Sequence, residues 1–146
     1  MASAKNFLKD DEKNAVVAAI RQVELHTSGE IRVHIDDRCE QDAYQRAVTI
    51  FEHLNMDKMP FRNAVLIYIA VKDRKFSIIG DEAIHERLGD GFWKEISRQL
   101  HNDFENYNFS IGIINTIETI GKELIKYFPN IDELDRNELP DDISFE

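Results

Sequence analysis

Apolar and polar positions alternate most cleanly in EIRVHID, residues 30–36, where Ile31, Val33 and Ile35 share one side. A period of two marks a strand with one covered face. AVLIYIAV, residues 64–71, is apolar throughout and rich in β-branched and aromatic side chains, the pattern of a central strand covered on both faces. KDR then turns the chain and KFSIIG, residues 75–80, returns, so 64–80 is predicted to be a hairpin.

Around these strands the period becomes helical. Ala15, Val16, Ala19, Ile20 and Val23 recur at helical spacing after Asp10 and Asp11, which suit a helix start, and Gly29 suits the stop. A second helix is predicted from Asp42 to about Asn55, with Ala47, Ile50, Phe51 and Leu54 on one face and Pro60 blocking continuation. A short helix follows from Glu82 to Leu88. Asp90 caps the next, in which Phe92, Ile96, Leu100 and Phe104 step by four. The last runs from about Ser110 to Tyr127 and turns Ile113, Ile117, Ile120 and Leu124 inward; Pro129 ends it.

The order α-β-α-β-β-α-α-α predicts an α/β fold: a three-layer α-β-α sandwich with a mixed, mostly parallel sheet containing one hairpin. A right-handed β-α-β crossover makes the first two strands parallel. If they are neighbours, their starts lie side by side near Glu30 and Asn63, and the hairpin returns Gly80 and Asp81 to the same edge. Glu30, Arg62, Asn63, Asp81 and Glu82 then converge at one rim of the sheet. Asp36, Asp37 and Asp73 collect at the other, where open α/β sheets usually receive ligands.

Composition narrows the function. The chain has 146 residues, the size of one domain, with 42% hydrophobic and 32% charged residues and a formal net charge of −10. That balance argues against nucleic acid and anionic membranes, which need clustered Lys and Arg, and favours cations or a basic protein partner. Residues 1–131 read as a single domain. Residues 132–146 read as an acidic tail, with seven acids against Arg136 alone. Cys39 is the only cysteine, which excludes an internal disulfide and a multi-cysteine zinc site. The N-terminal stretch carries no apolar run of the signal-peptide kind. The longest uncharged run, Asn106 to Ile117, is too short to span a bilayer. The expectation is a cytoplasmic chain without membrane insertion.

Several enzyme signatures fail. Gly121-Lys122 is followed by Glu123, so there is no P-loop; the residue six after Cys39 is Gln45, so there is no C-x5-R phosphatase loop. Asp36-Asp37-Arg38 breaks the aspartyl-phosphate pattern, and DELDRNELP lacks the turn glycine of an EF-hand. His26, His34, His53 and His101 are scattered and suggest no zinc set. Oxygen-donor chemistry remains. Glu30, Asn63, Asp81 and Glu82 are candidate ligands for a hard divalent cation, with Asp36, Asp37 and Asp73 as a second candidate edge. Simpler roles stand beside these: Asp81 as the cap of the 82–88 helix with Glu82 in its first turn, Glu30 paired with Arg62, and His85 as a solvated helix residue.

HTSGEIRVHI, FRNAVLIYIAVKDRKFSIIGDEAIHE, GFWKEI and GKELIKYFP occur in the order and spacing of the TPM domain family, and from Phe7 to Pro129 the chain resembles it. The resemblance implies a sheet sandwiched between helices and binding of a divalent cation, calcium before magnesium. In one branch it implies a weak acid phosphatase activity. Asn63 and Gly80-Asp81 fall on matching positions, whereas His85 stands where many relatives carry a glutamate and Asp81 where many carry an aromatic. The resulting expectation is a stand-alone TPM domain that binds calcium or magnesium in a regulatory or partner-binding role. A weak metal-assisted phosphomonoesterase and a metal-independent interaction module are the alternatives; no catalytic residue stands out.

Overall fold

The structure, a computed structural model, describes residues 3–130. The acidic tail expected over 132–146 lies outside the described residues. In chain order the elements are helix α1 (Asp10–Glu24), strand β1 (Glu30–Asp36), helix α2 (Ala43–His53), a single 3-10 turn at Met56–Lys58, strands β2 (Ala64–Ala70) and β3 (Lys75–Gly80), and helices α3 (Glu82–Glu105) and α4 (Phe109–Tyr127).

The sheet order is β1-β2-β3. β1 runs parallel to β2 with Glu30 opposite Ala64 and Asp36 opposite Ala70, while β2 and β3 are antiparallel with Val65 opposite Gly80 and Ala70 opposite Lys75. The expectation of a mostly parallel sheet is therefore corrected to one parallel and one antiparallel pair. A single hairpin in three strands leaves room for only one crossover.

The continuous apolar run of β2 is explained by cover on both faces. Val65, Ile67 and Ile69 enter a core shared with Val16, Val23, Trp93, Ile96, Leu100, Ile113, Ile117, Ile120 and Leu124 of α1, α3 and α4. Ala64, Leu66, Tyr68 and Ala70 point the other way, into a smaller core with Ala47, Ile50 and Phe51 of α2, Met56 and Cys39. The two neighbours of β2 are only partly buried, which is why β1 alternates in sequence.

α3 carries a non-helical residue at Gly89 (φ 77, ψ 167). The left-handed backbone there favours glycine and breaks the helix between Leu88 and Asp90, where the sequence places one stop and the next start. Gly80 shows a different need: a Cβ on it would lie 2.6 Å from Cζ2 and Cη2 of Trp93, so the bare backbone seats the indole at the end of β3.

Candidate functional site

The register gathers the predicted residues at the two ends of the sheet, and the two ends are built differently. At the strand-start rim, Asp81 follows β3 directly, and its backbone N–H donates to the Ala64 carbonyl. Its carboxylate does two jobs at once. Oδ1 accepts from the Glu82 N–H at 2.7 Å, capping α3, while Arg62 clasps both oxygens, Nε to Oδ2 at 2.7 Å and Nη2 to Oδ1 at 2.8 Å. Such a two-point contact is the strong form of the arginine–carboxylate pair. Arg62 also reaches Glu82, Nη1 to Oε2 at 3.4 Å. Its backbone is left-handed (φ 50), and its carbonyl accepts from Ala83 N–H, so the turn before β2 aims the guanidinium over the start of α3.

At this rim, then, an arginine side chain is the cation that faces Asp81 and Glu82. Glu30 does not pair with Arg62; its partner is Arg32 at 3.6 Å. Asn63 is fully buried, and its amide Nδ2 donates to Ser28 Oγ at 3.1 Å. Its Oδ1 finds no hydrogen-bond partner among the described residues. One uncommitted amide oxygen beside an arginine does not make a cation cage. His85 sits on α3 with its Nε2 3.4 Å from Asp90 and its ring stacked over Trp93 at 6.3 Å.

The opposite rim lies at the C-terminal ends of the parallel pair. Asp36, the last residue of β1, receives the Tyr68 hydroxyl at 2.8 Å and Arg46 Nε at 3.0 Å on Oδ2, with His34 Nε2 3.0 Å from Oδ1. Partial burial pushes this carboxyl up, but the bonds from Tyr68, Arg46 and His34, with the charge of Arg46, outweigh it and hold Asp36 below the usual carboxylate range. The same site drives Tyr68 the other way: burial first, then the bonds to Asp36 and Cys39, push its phenol far above the ordinary value. Asp36 is thus a saturated anchor for Arg46, on α2, and for Tyr68, on β2.

Beyond Asp36 the chain crosses from β1 to α2 through residues 37–42, with Asp42 accepting from Gln45 N–H as the cap of α2. This segment lines an open cleft of about 630 Å³ bordered by Asp37, Arg38, Cys39, Glu40, Gln41 and Arg46. Asp37 Oδ1 accepts from the Ala4 N–H at 2.5 Å. No lysine or arginine among the described residues pairs with Asp37 or Glu40. Asp73, from the β2–β3 turn, turns away from ligand duty: Oδ2 accepts from Cys39 N–H at 2.6 Å, and Oδ1 lies 3.9 Å from Arg38. Sequence reading missed Arg46, Cys39, Glu40 and Lys75 at this rim. The register held a signal for Lys75, because Asp36, Ala70 and Lys75 form one row across the sheet.

Among the described residues no three His, Cys, Asp or Glu side chains are grouped as a metal cage. Nor is any helix among them long and apolar enough to cross a membrane.

The TPM domain pattern matches residues 2–123. The chain belongs to the TPM domain family. As a TPM domain it is similar to the BA42 protein from the psychrophilic bacterium Bizionia argentinensis sp. nov., whose NMR structure shares 42% sequence identity over 96% of each chain with a TM-score of 0.82. Two further solution structures share its fold at 13% identity. One is the N-terminal domain of a protein from P. gingivalis, with a TM-score of 0.70 over 84% of this chain and 79% of that one. The other is the N-terminal domain of the cg2496 protein from Corynebacterium glutamicum, with a TM-score of 0.63 over 80% and 74%. None of the curated proteins matches the chain.

Proposed function

We propose that this TPM domain binds a hard divalent cation, calcium or magnesium, at the open rim after β1, and serves a regulatory or partner-binding role. The observation that carries the reading is how the two rims use their acids. Asp37 and Glu40 border an open cleft without an ion pair among the described residues. The two arginines that also line it, Arg38 and Arg46, pair with Asp73 and Asp36, and the contact on Asp37 is the Ala4 N–H. At the other rim, by contrast, Arg62 clasps Asp81. Oxygen donors on a short loop suit hard cations. Two carboxylates hold an ion that keeps most of its water, a mode that suits magnesium's reluctance to dehydrate and gives modest affinity.

Titration of the labelled protein with calcium and with magnesium tests this. Amide shifts are expected to concentrate in residues 36–41 and to vanish in the double variant Asp37→Asn/Glu40→Gln, with stability within about 0.5 kcal/mol of the parent because both changes are at the surface. Shifts centred on Glu30, Asn63, Asp81 and Glu82 would move the site to the closed rim, and no saturable response at either rim would end the cation reading.

One observation favours a second reading. Arg38 and Arg46 border the same cleft beside the start of α2, and cationic side chains beside a helix N-terminus suit an oxyanion. A phosphate monoester bridged to the cation would be polarised there, in a weak metal-assisted hydrolysis. Steady release of p-nitrophenol that disappears in EDTA is the result this second reading requires. A metal-independent role in binding a basic protein is a third proposal, and the acidic tail it relies on lies outside the described residues.

A further inference from the structure

We infer that Lys75 and Asp73, on the hairpin that joins β2 to β3, are positioning residues that mould the cleft loop and so set its affinity for the cation. The inference rests on the cation reading above. Residues 37–42 form neither helix nor strand, so something outside the segment must fix its path. The hairpin does so at successive points. Val71 and Lys72 donate their N–H groups to the carbonyls of Asp36 and Asp37. Asp73 accepts from Cys39 N–H at 2.6 Å. The ammonium of Lys75 then bridges two carbonyls, Cys39 O at 3.0 Å and Gln41 O at 3.2 Å. Cys39 anchors the centre of the loop: its side chain is buried in the α2-side core, and its Sγ donates to the same Gln41 carbonyl at 3.1 Å.

The consequence for binding is geometric. With the Cys39 and Gln41 carbonyls turned onto Lys75 and the Cys39 N–H onto Asp73, the loop is held as an arch whose side chains at 37 and 40 border the cleft. Asp73 acts here as a template for the backbone. Arg74, at φ 53, gives the hairpin the tight left-handed step that sets Asp73 and Lys75 on either side of it.

The sign of one experiment separates positioning from charge. Lys75 is positive and lies beside a site proposed to take a cation. Were it merely a nearby charge, removing it would tighten cation binding, since like charges repel. A positioning role demands the reverse. In Lys75→Met, the magnesium and calcium dissociation constants from amide-shift titration are expected to rise at least fivefold, and Lys75→Arg, which keeps a donor for the carbonyls, is expected to recover part of that loss. A metal-free reading accompanies the titration: hydrogen exchange at the Cys39 amide should quicken in Lys75→Met, while exchange in the centre of β2 stays as in the parent. Tighter or unchanged cation binding in Lys75→Met overturns the inference, as does unaltered Cys39 exchange. A parent protein that fails to respond to either cation sinks the cation reading itself, and the exchange data alone then show whether the hairpin holds the loop.

Discussion

The two ends of this small sheet carry similar numbers of acids and use them in opposite ways. At the strand-start end, Asp81 is buried, caps α3 and is clasped by Arg62. At the far end, the half-buried network around Asp36 stops at the last residue of β1, and the next acids, Asp37 and Glu40, stand on a loop at the mouth of a cleft. The difference follows from topology. Where β3 ends and α3 begins at once, a single residue must cap the helix, and the αL turn at Arg62 supplies its counter-ion. Where β1 passes to α2 through six residues, backbone is left over to form a loop. Acid content alone therefore does not decide how a carboxylate is used; what matters is whether a cationic side chain already meets it. Asp37, which accepts from the Ala4 N–H, has no ion pair among the described residues.

If the closed rim is structural, damage there should lower stability and leave the proposed cation response of the open rim alone. The largest effect is expected at Gly80. Its missing Cβ would stand 2.6 Å from two ring carbons of Trp93 and 3.0 Å from Ile84 Cγ2. Trp93 is buried in the larger core and cannot swing aside freely, so Gly80→Ala should cost about 1–3 kcal/mol by overpacking. Urea unfolding measures the loss. An unchanged midpoint would mean that the indole has room to move, and that this end of the sheet is looser than its packing implies.

Asp81→Ala comes next. Loss of the helix cap alone should cost about 1–2 kcal/mol. The two-point clasp with Arg62 is lost in the same variant, its worth reduced by screening on the guanidinium side, which is partly exposed to solvent. The magnesium and calcium titrations of residues 36–41 should be unaltered in this variant. A loss of cation response with stability intact would invert the comparison and return the binding site to the rim first suggested by spacing.

Much of this frame is legible in the sequence itself. β1 and β3 fall on the residues where alternation and apolar content place them, and the helix break at Gly89 lies between the predicted stop at Leu88 and the predicted cap at Asp90. The gathering of Glu30, Asn63 and Asp81 at one end follows from topology alone, because parallel strands start together and a hairpin returns to its origin. Their use is not legible. Arg62 lies one residue from Asn63, and spacing assigns it to Glu30; only its left-handed backbone, which no glycine announces, turns its side chain to Asp81 instead. At the other rim, Asp36, Asp37 and Asp73 look equivalent in sequence. They differ because Tyr68, Arg46 and His34 reach only Asp36, and the Cys39 amide reaches only Asp73. Side-chain partners across a sheet depend on register, which alternation suggests but does not number.

The smallest effect, and the one that probes the boundary of the open rim, is the pH dependence carried by Asp36. Its carboxyl is held below the ordinary range by donors from β1, α2 and β2 acting against the upward push of partial burial. A carboxyl whose folded pKa is depressed adds stability at pH values above its unfolded pKa, near 3.9, and gives it up as the pH falls through the lower folded value. The contribution should therefore be complete at neutral pH and begin to fade below about pH 4. Asp36→Asn keeps the shape and the acceptor for Tyr68 but cannot ionise. Urea midpoints of parent and variant should differ at pH 7 and converge as the pH is lowered toward 3. Three donors share the ionised form, so removing one, as in Arg46→Gln, should narrow this difference without abolishing it. A constant gap between parent and Asp36→Asn across that range would mean that Asp36 is held by packing and not by its charge. The network behind the cleft would then be no firmer electrostatically than the loop in front of it.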